Sequence, residues 1–119
     1  VDETVVWCDG RVVPCDTLVV GATDRGLTSG LGVYEALAVI DGEVFALTRH
    51  LDRLRCSAQV VGVELPSDDI LRGAVQEVAR EGRWSYGRVR VTVTAGDADG
   101  AEGALVVVGS RARTVEQVR

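Results

Sequence analysis

An α+β fold, a small antiparallel sheet with two helices, is the class this sequence predicts. Three observations predict it. Short apolar or alternating runs separated by Asp-Gly pairs fill the first part of the chain, two helical-period segments follow, and period-two alternation returns after residue 86. With 119 residues, 46% hydrophobic and 26% charged, the chain has the length and composition of one globular domain.

Residues 5–7 and 11–13 read as two short strands around Asp9-Gly10, a pair suited to the positive backbone angles of a tight hairpin turn. Residues 17–20 read as a further short strand ended by Gly21. The segment from Asp24 to Gly32 holds three glycines in nine residues and reads as a loop. Residues 33–40 form an apolar strand whose one charge is Glu35. Asp41-Gly42 turns it, and residues 43–47 return beside it.

The period changes at Thr48. Leu51, Leu54, Ala58 and Val61 recur at helical spacing, with Thr48 as N-cap, Gly62 as stop and Cys56 expected among the buried positions. Ser67 caps a second helix with Asp68 and Asp69 in its first turn, and Leu71, Ala74, Val75 and Val78 form its buried stripe before Gly82 ends it. Val89, Val91 and Val93 then alternate with Arg88, Arg90, Thr92 and Thr94, the pattern of a half-buried strand. An acidic, glycine-rich loop leads to a last apolar strand at residues 104–109, and residues 110–119 lose the pattern and read as the start of a linker.

A net charge of −5 argues against a nucleic-acid partner, and no apolar run approaches the ~18 residues of a membrane helix. The acidic start lacks the basic residues of a secretory signal, so a cytoplasmic location is expected. Three cysteines without CxxC spacing predict free, buried thiols rather than a disulfide framework or zinc site. One histidine excludes a histidine-rich metal centre, and no metal site is expected. No serine sits in a nucleophile elbow, and Gly30-Leu31-Gly32 precedes a strand, the wrong context for a phosphate loop. All 13 basic residues are arginine. Arginine grips phosphates and carboxylates, but lysine is the residue that forms imines.

His50-Leu51-Asp52-Arg53-Leu54 is the most informative constellation. His50 and Arg53, three residues apart, share a helix face beside buried leucines. An arginine there needs an anion, either a nearby carboxylate or a ligand phosphate.

Together, Asp24-Arg25-Gly26, Gly30-Leu31-Gly32-Val33-Tyr34-Glu35, Asp41-Gly42-Glu43-Val44-Phe45, His50-Leu51-Asp52-Arg53-Leu54 and Ser57-Ala58 resemble the class IV aminotransferases, the fold type IV pyridoxal-phosphate enzymes. The resemblance implies their small N-terminal domain over residues 1–109, the start of an interdomain linker over residues 110–119, and a C-terminal domain that carries the Schiff-base lysine. It implies pyridoxal 5'-phosphate as cofactor and an aminotransferase acting on an amino acid or amine. The alternative within the family is aminodeoxychorismate lyase, which eliminates pyruvate in 4-aminobenzoate and folate synthesis. The run from Leu47 to Leu54 resembles such lyases. A non-catalytic binding module is the alternative outside it.

By the same resemblance, Arg53 matches the arginine on the cofactor phosphate, His50 supports it from the same helix face, and Tyr34 and Ala36 line the substrate pocket. Arg25 and Glu35 are expected in a salt bridge or turn contact. No residue of this chain is expected to be catalytic, because the chain has no lysine. A homodimer is implied. Two positions depart from the family pattern. Leu31 stands where an acidic residue is frequent, and Ala95 stands where many members hold a substrate carboxylate with arginine. Arg88 or Arg90 are the candidates to replace it.

Overall fold

The computed structural model describes residues 4–112. Six strands form one antiparallel sheet: β1 (Val5–Cys8), β2 (Arg11–Val13), β3 (Gly32–Ile40), β4 (Glu43–Val44), β5 (Tyr86–Thr94) and β6 (Leu105–Arg111), in the order β2-β1-β6-β5-β3-β4. Three helices accompany them: the short α1 (Arg25–Thr28), then α2 (Leu47–Val61) and α3 (Asp68–Gly82). Both Asp-Gly turns form as expected, with positive φ at Asp9, Gly10, Asp41 and Gly42.

The alternation of the strands divides the sheet into two unlike faces. Val33, Leu37 and Val39 of β3 and Val89, Val91 and Val93 of β5 pack beneath α2 and α3 in the main core. Leu51, Leu54 and Ala58 supply the stripe of α2, and Leu71, Ala74, Val75, Val78 and Ala79 that of α3. Trp84 completes this core over Gly109, where a Cβ would stand 2.6 Å from the indole Cη2 and 2.6 Å from Val78 Cγ1. On the opposite face, Val6, Cys8 and Val106 form a smaller core with Val19 and Val20. That cover stops short of β3 and β5, whose residues Tyr34, Arg88 and Arg90 stay exposed.

Several local expectations are corrected. Residues 17–20 form no strand; Val19 and Val20 instead pack as coil on the smaller core. The loop at residues 24–32 contains α1, capped by the Asp24 side chain, which accepts from Gly26 N. The strand after Asp41-Gly42 shortens to β4, because α2 begins at Leu47. Thr48 is not the N-cap: Ala46 takes that position in the left-handed region, with no side-chain hydrogen bond. Thr48 instead accepts from Arg72 of α3 at 3.0 Å. Cys56 and Val61 are exposed, since the buried stripe of α2 runs through Leu51, Leu54 and Ala58. Of the three free thiols, only Cys8 is buried; burial, with Asp9 beside it, pushes its pKa up. Cys15 is exposed.

α3 follows the sequence closely, with Ser67 Oγ accepting from Ile70 N and Asp68 and Asp69 in the first turn. α2 and α3 are tied by Asp68, which accepts from Arg55 at 2.7 Å and also from Arg72. Strand β6 continues two residues past residue 109, pairing Ser110 with Arg88 and Arg111 with Gly87, so these two positions belong to the sheet and not to a linker. Of the rest of the expected linker, Ala112 donates to Tyr86 O, and residues 113–119 lie outside the described residues.

Candidate functional site

Strand β3 organises the candidate residues because its two faces carry different chemistry. On the helix side, Glu35 interrupts an apolar row and is 8% exposed. Helix α2 meets it with two side chains one turn apart. His50 Nδ1 lies 2.7 Å from Glu35 Oε1, and Arg53 Nε lies 3.6 Å from Oε2. The carboxylate of the two anions left open by the sequence is therefore present, and it is Glu35. The Arg53 side chain is nevertheless 66% exposed, and among the described residues its NH1 and NH2 groups meet no partner.

On the opposite face Tyr34 and Ala36 lie side by side, facing β5. Tyr34 pairs with Thr92 and Ala36 with Arg90. The Arg90 guanidinium sits over the Tyr34 ring, 4.0 Å from its centroid, a cation–π contact that holds both groups on an open surface. Arg88 shares this face two residues away, paired with Ala38.

The sheet thus separates the His50 and Arg53 pair from Tyr34 and Ala36. The edge of β3 away from β5 is only partly covered. β4 covers that edge at Val39 and Ile40, and Phe45 N donates to Ala38 O at 2.9 Å. From residue 32 to 37 no strand lies along it among the described residues.

A buried clasp anchors the start of this region. Asp24 is 6% exposed, and its carboxylate accepts from Gly26 N at 2.7 Å, Gly96 N at 3.2 Å and Thr94 Oγ1 at 2.6 Å. Burial alone would push its pKa up. The bonds from Thr94, Gly26 and Gly96, with the Arg25 charge, outweigh this and hold the carboxyl below its ordinary value. Arg25 donates to Gly96 O at 3.0 Å and Ala95 O at 3.1 Å, the turn contact expected of it. Thr94 Oγ1 also accepts from Ala104 N at 2.7 Å, so one carboxylate fixes α1 and both ends of the acidic loop. Asp24 was not a candidate from sequence: two of its three partners lie 70 and 72 positions away, and no local pattern announces them.

A hollow of about 610 Å³ lies on the helix side, lined by residues including Arg25, Leu65, Pro66, Asp97 and Glu102. Tyr34, Ala36, His50 and Arg53 do not line it. Among the described residues no group of His, Cys, Asp or Glu is arranged to hold a metal, and no helix is long and apolar enough to cross a membrane.

The sequence profile of the class IV aminotransferases matches residues 32–117. The D-alanine aminotransferase of Listeria innocua is 33% identical over 92 residues, covering 76% of this chain and 32% of that protein. The branched-chain-amino-acid aminotransferase-like protein 2 of Arabidopsis thaliana is 28% identical over 96 residues, covering 79% of this chain and 17% of that protein. Among solved structures, the pyridoxal-phosphate-bound form of a hypothetical aminotransferase from Mycobacterium tuberculosis superposes with a TM-score of 0.83 at 26% identity, covering 91% of this chain and 40% of that one. The chain therefore spans a third or less of the length of these two curated relatives.

Proposed function

We propose that this chain, which belongs to the class IV aminotransferase family, is the N-terminal part of a pyridoxal-phosphate-dependent aminotransferase acting on an amino acid or amine. The observation that carries this reading is the state of Arg53. Its Nε faces Glu35, and among the described residues its NH1 and NH2 groups meet no partner on an exposed side chain. A guanidinium turned this way offers its two-pronged edge to an anion, and a phosphate ester matches that edge.

Class IV aminotransferases use pyridoxal phosphate, which when bound supplies the carbon that carries the amino group and the ring that draws electrons from the substrate. Arg53 would hold its phosphate. His50, held by Glu35, fills the adjoining position on α2 and supports it. Tyr34 and Ala36 form a wall of the substrate space on the other side of β3, and Tyr34 keeps Arg90 in place there. Arg90 is positioned to hold a substrate carboxylate, the role left vacant by Ala95. It shares the open face with the pocket residues, whereas Ala95 packs against the main core.

The chain has no lysine, so the lysine that binds the cofactor would come from a C-terminal domain of the same protein. In this reading the small domain runs through the last strand and the linker follows it. The partner surfaces are that domain and, by family resemblance, a second copy in a homodimer. A reducing, cytoplasmic compartment suits the three free thiols.

The full-length protein tests the reading. We expect a visible cofactor absorbance that borohydride reduction removes, and transfer of an amino group from an amino acid to an oxo acid. Pyruvate elimination without amino transfer would make the protein a lyase. Absence of the absorbance would leave the chain a binding module.

A further inference from the structure

Glu35 is an unusual occupant of its row. Its neighbours on the same face of β3 are Val33, Leu37 and Val39, all buried apolar side chains. A carboxylate in such a row costs stability unless it is paired, and an apolar residue of similar volume frequently serves a fold as well or better. Glu35 is paired with one partner per oxygen: His50 Nδ1 on Oε1 and Arg53 Nε on Oε2. The contact with Arg53, at 3.6 Å, is too long for a hydrogen bond, so it directs the guanidinium without consuming its donors. The contact with His50, at 2.7 Å, is a full hydrogen bond to a buried acceptor.

From this geometry we propose that Glu35 is a positioning residue for the anion-binding end of the site. Its carboxylate keeps the Nδ1 proton of His50 on the sheet side, so that Nε2 is the ring nitrogen left to face outward, and it aims the NH1 and NH2 groups of Arg53 away from the sheet. This rests on the reading of Arg53 as the phosphate anchor. Glu35 itself touches no ligand.

The chain's single histidine makes the first half directly readable, because its ring nitrogens give the only imidazole signals in a ¹⁵N spectrum. In the cofactor-free 119-residue chain we expect the Nδ1–H tautomer. In Glu35→Leu we expect return to the Nε2–H form favoured by free histidine. In the full-length protein we expect Glu35→Gln and Glu35→Leu each to weaken pyridoxal phosphate binding about tenfold, with no further loss when either is added to Arg53→Ala. Melting curves of both variants, with the assay held below their transitions, separate lost aiming from lost fold support. Cofactor affinity within about twofold of the parent in both variants would overturn the proposal, as would losses that add independently to that of Arg53→Ala. Should Arg53→Ala itself leave affinity unchanged, the phosphate reading fails. Should affinity depend on Arg53 but ignore Glu35, that reading stands and only this inference falls.

Discussion

Replacing Asp24 with alanine removes one charged acceptor from three donors: Gly26 N, Gly96 N and Thr94 Oγ1. A hydrogen bond to a charged group contributes about 1.5–3 kcal/mol net. Water reaches the half-buried Gly26 and recovers part of the loss there, and removing a buried carboxylate relieves its desolvation. The balance is a destabilisation of about 3 kcal/mol. For a domain of this size that lowers the melting temperature by roughly 10–15 °C. Thermal unfolding followed by circular dichroism measures it.

The pH dependence gives a second reading of the same residue. The native carboxyl titrates below its ordinary 3.8, so between the two pKa values the unfolded chain binds more protons than the native one. The stabilisation by Asp24 is therefore complete above the unfolded value and is lost as pH falls through the native one. The melting temperatures of parent and variant should converge as the pH drops below that window. A melting temperature that falls by less than about 2 °C at neutral pH, or a difference that persists unchanged into acid, would refute the reasoning.

Two further predictions test the packing and the open face. Gly109→Ala places a methyl group against Trp84 and Val78, and overpacking of this kind costs about 1–3 kcal/mol in urea or thermal unfolding. Arg90→Ala in the full-length protein should lower kcat/KM for a substrate bearing a carboxylate by about 1.5–3 kcal/mol, expressed chiefly in KM, while a neutral amine loses little. Equal losses on both substrates would remove Arg90 from carboxylate binding.

What was legible in the sequence was local. Asp9-Gly10 and Asp41-Gly42 specify their turns by backbone angles that neighbours do not alter, and Ser67 with Asp68 and Asp69 specifies the start of α3 within one turn. The alternation of Val89, Val91 and Val93 fixed one face of β5, and with it the shared face of Arg88 and Arg90. The start of α2 was less legible, because Ala46 enters it through a left-handed residue without a side-chain cap, and Thr48 is engaged by a helix 24 residues away. Residues 17–20 carry strand-like composition but find no strand to pair with. The spacing of His50 and Arg53 was visible as a shared helix face. That Glu35, 15 residues before His50, supplies the carboxylate between them depends on how α2 lies across β3, which no local pattern encodes. The same holds for Asp24 and Thr94.

The central claim is that Arg53 anchors the cofactor phosphate, and its most direct test is the dissociation constant of pyridoxal phosphate for full-length Arg53→Ala. Loss of a charge-assisted, two-pronged contact predicts weakening by about 2–4 kcal/mol, roughly a thirtyfold to thousandfold rise in Kd. An unchanged Kd would contradict the account and leave Arg53 as the exposed half of an ion pair with Glu35.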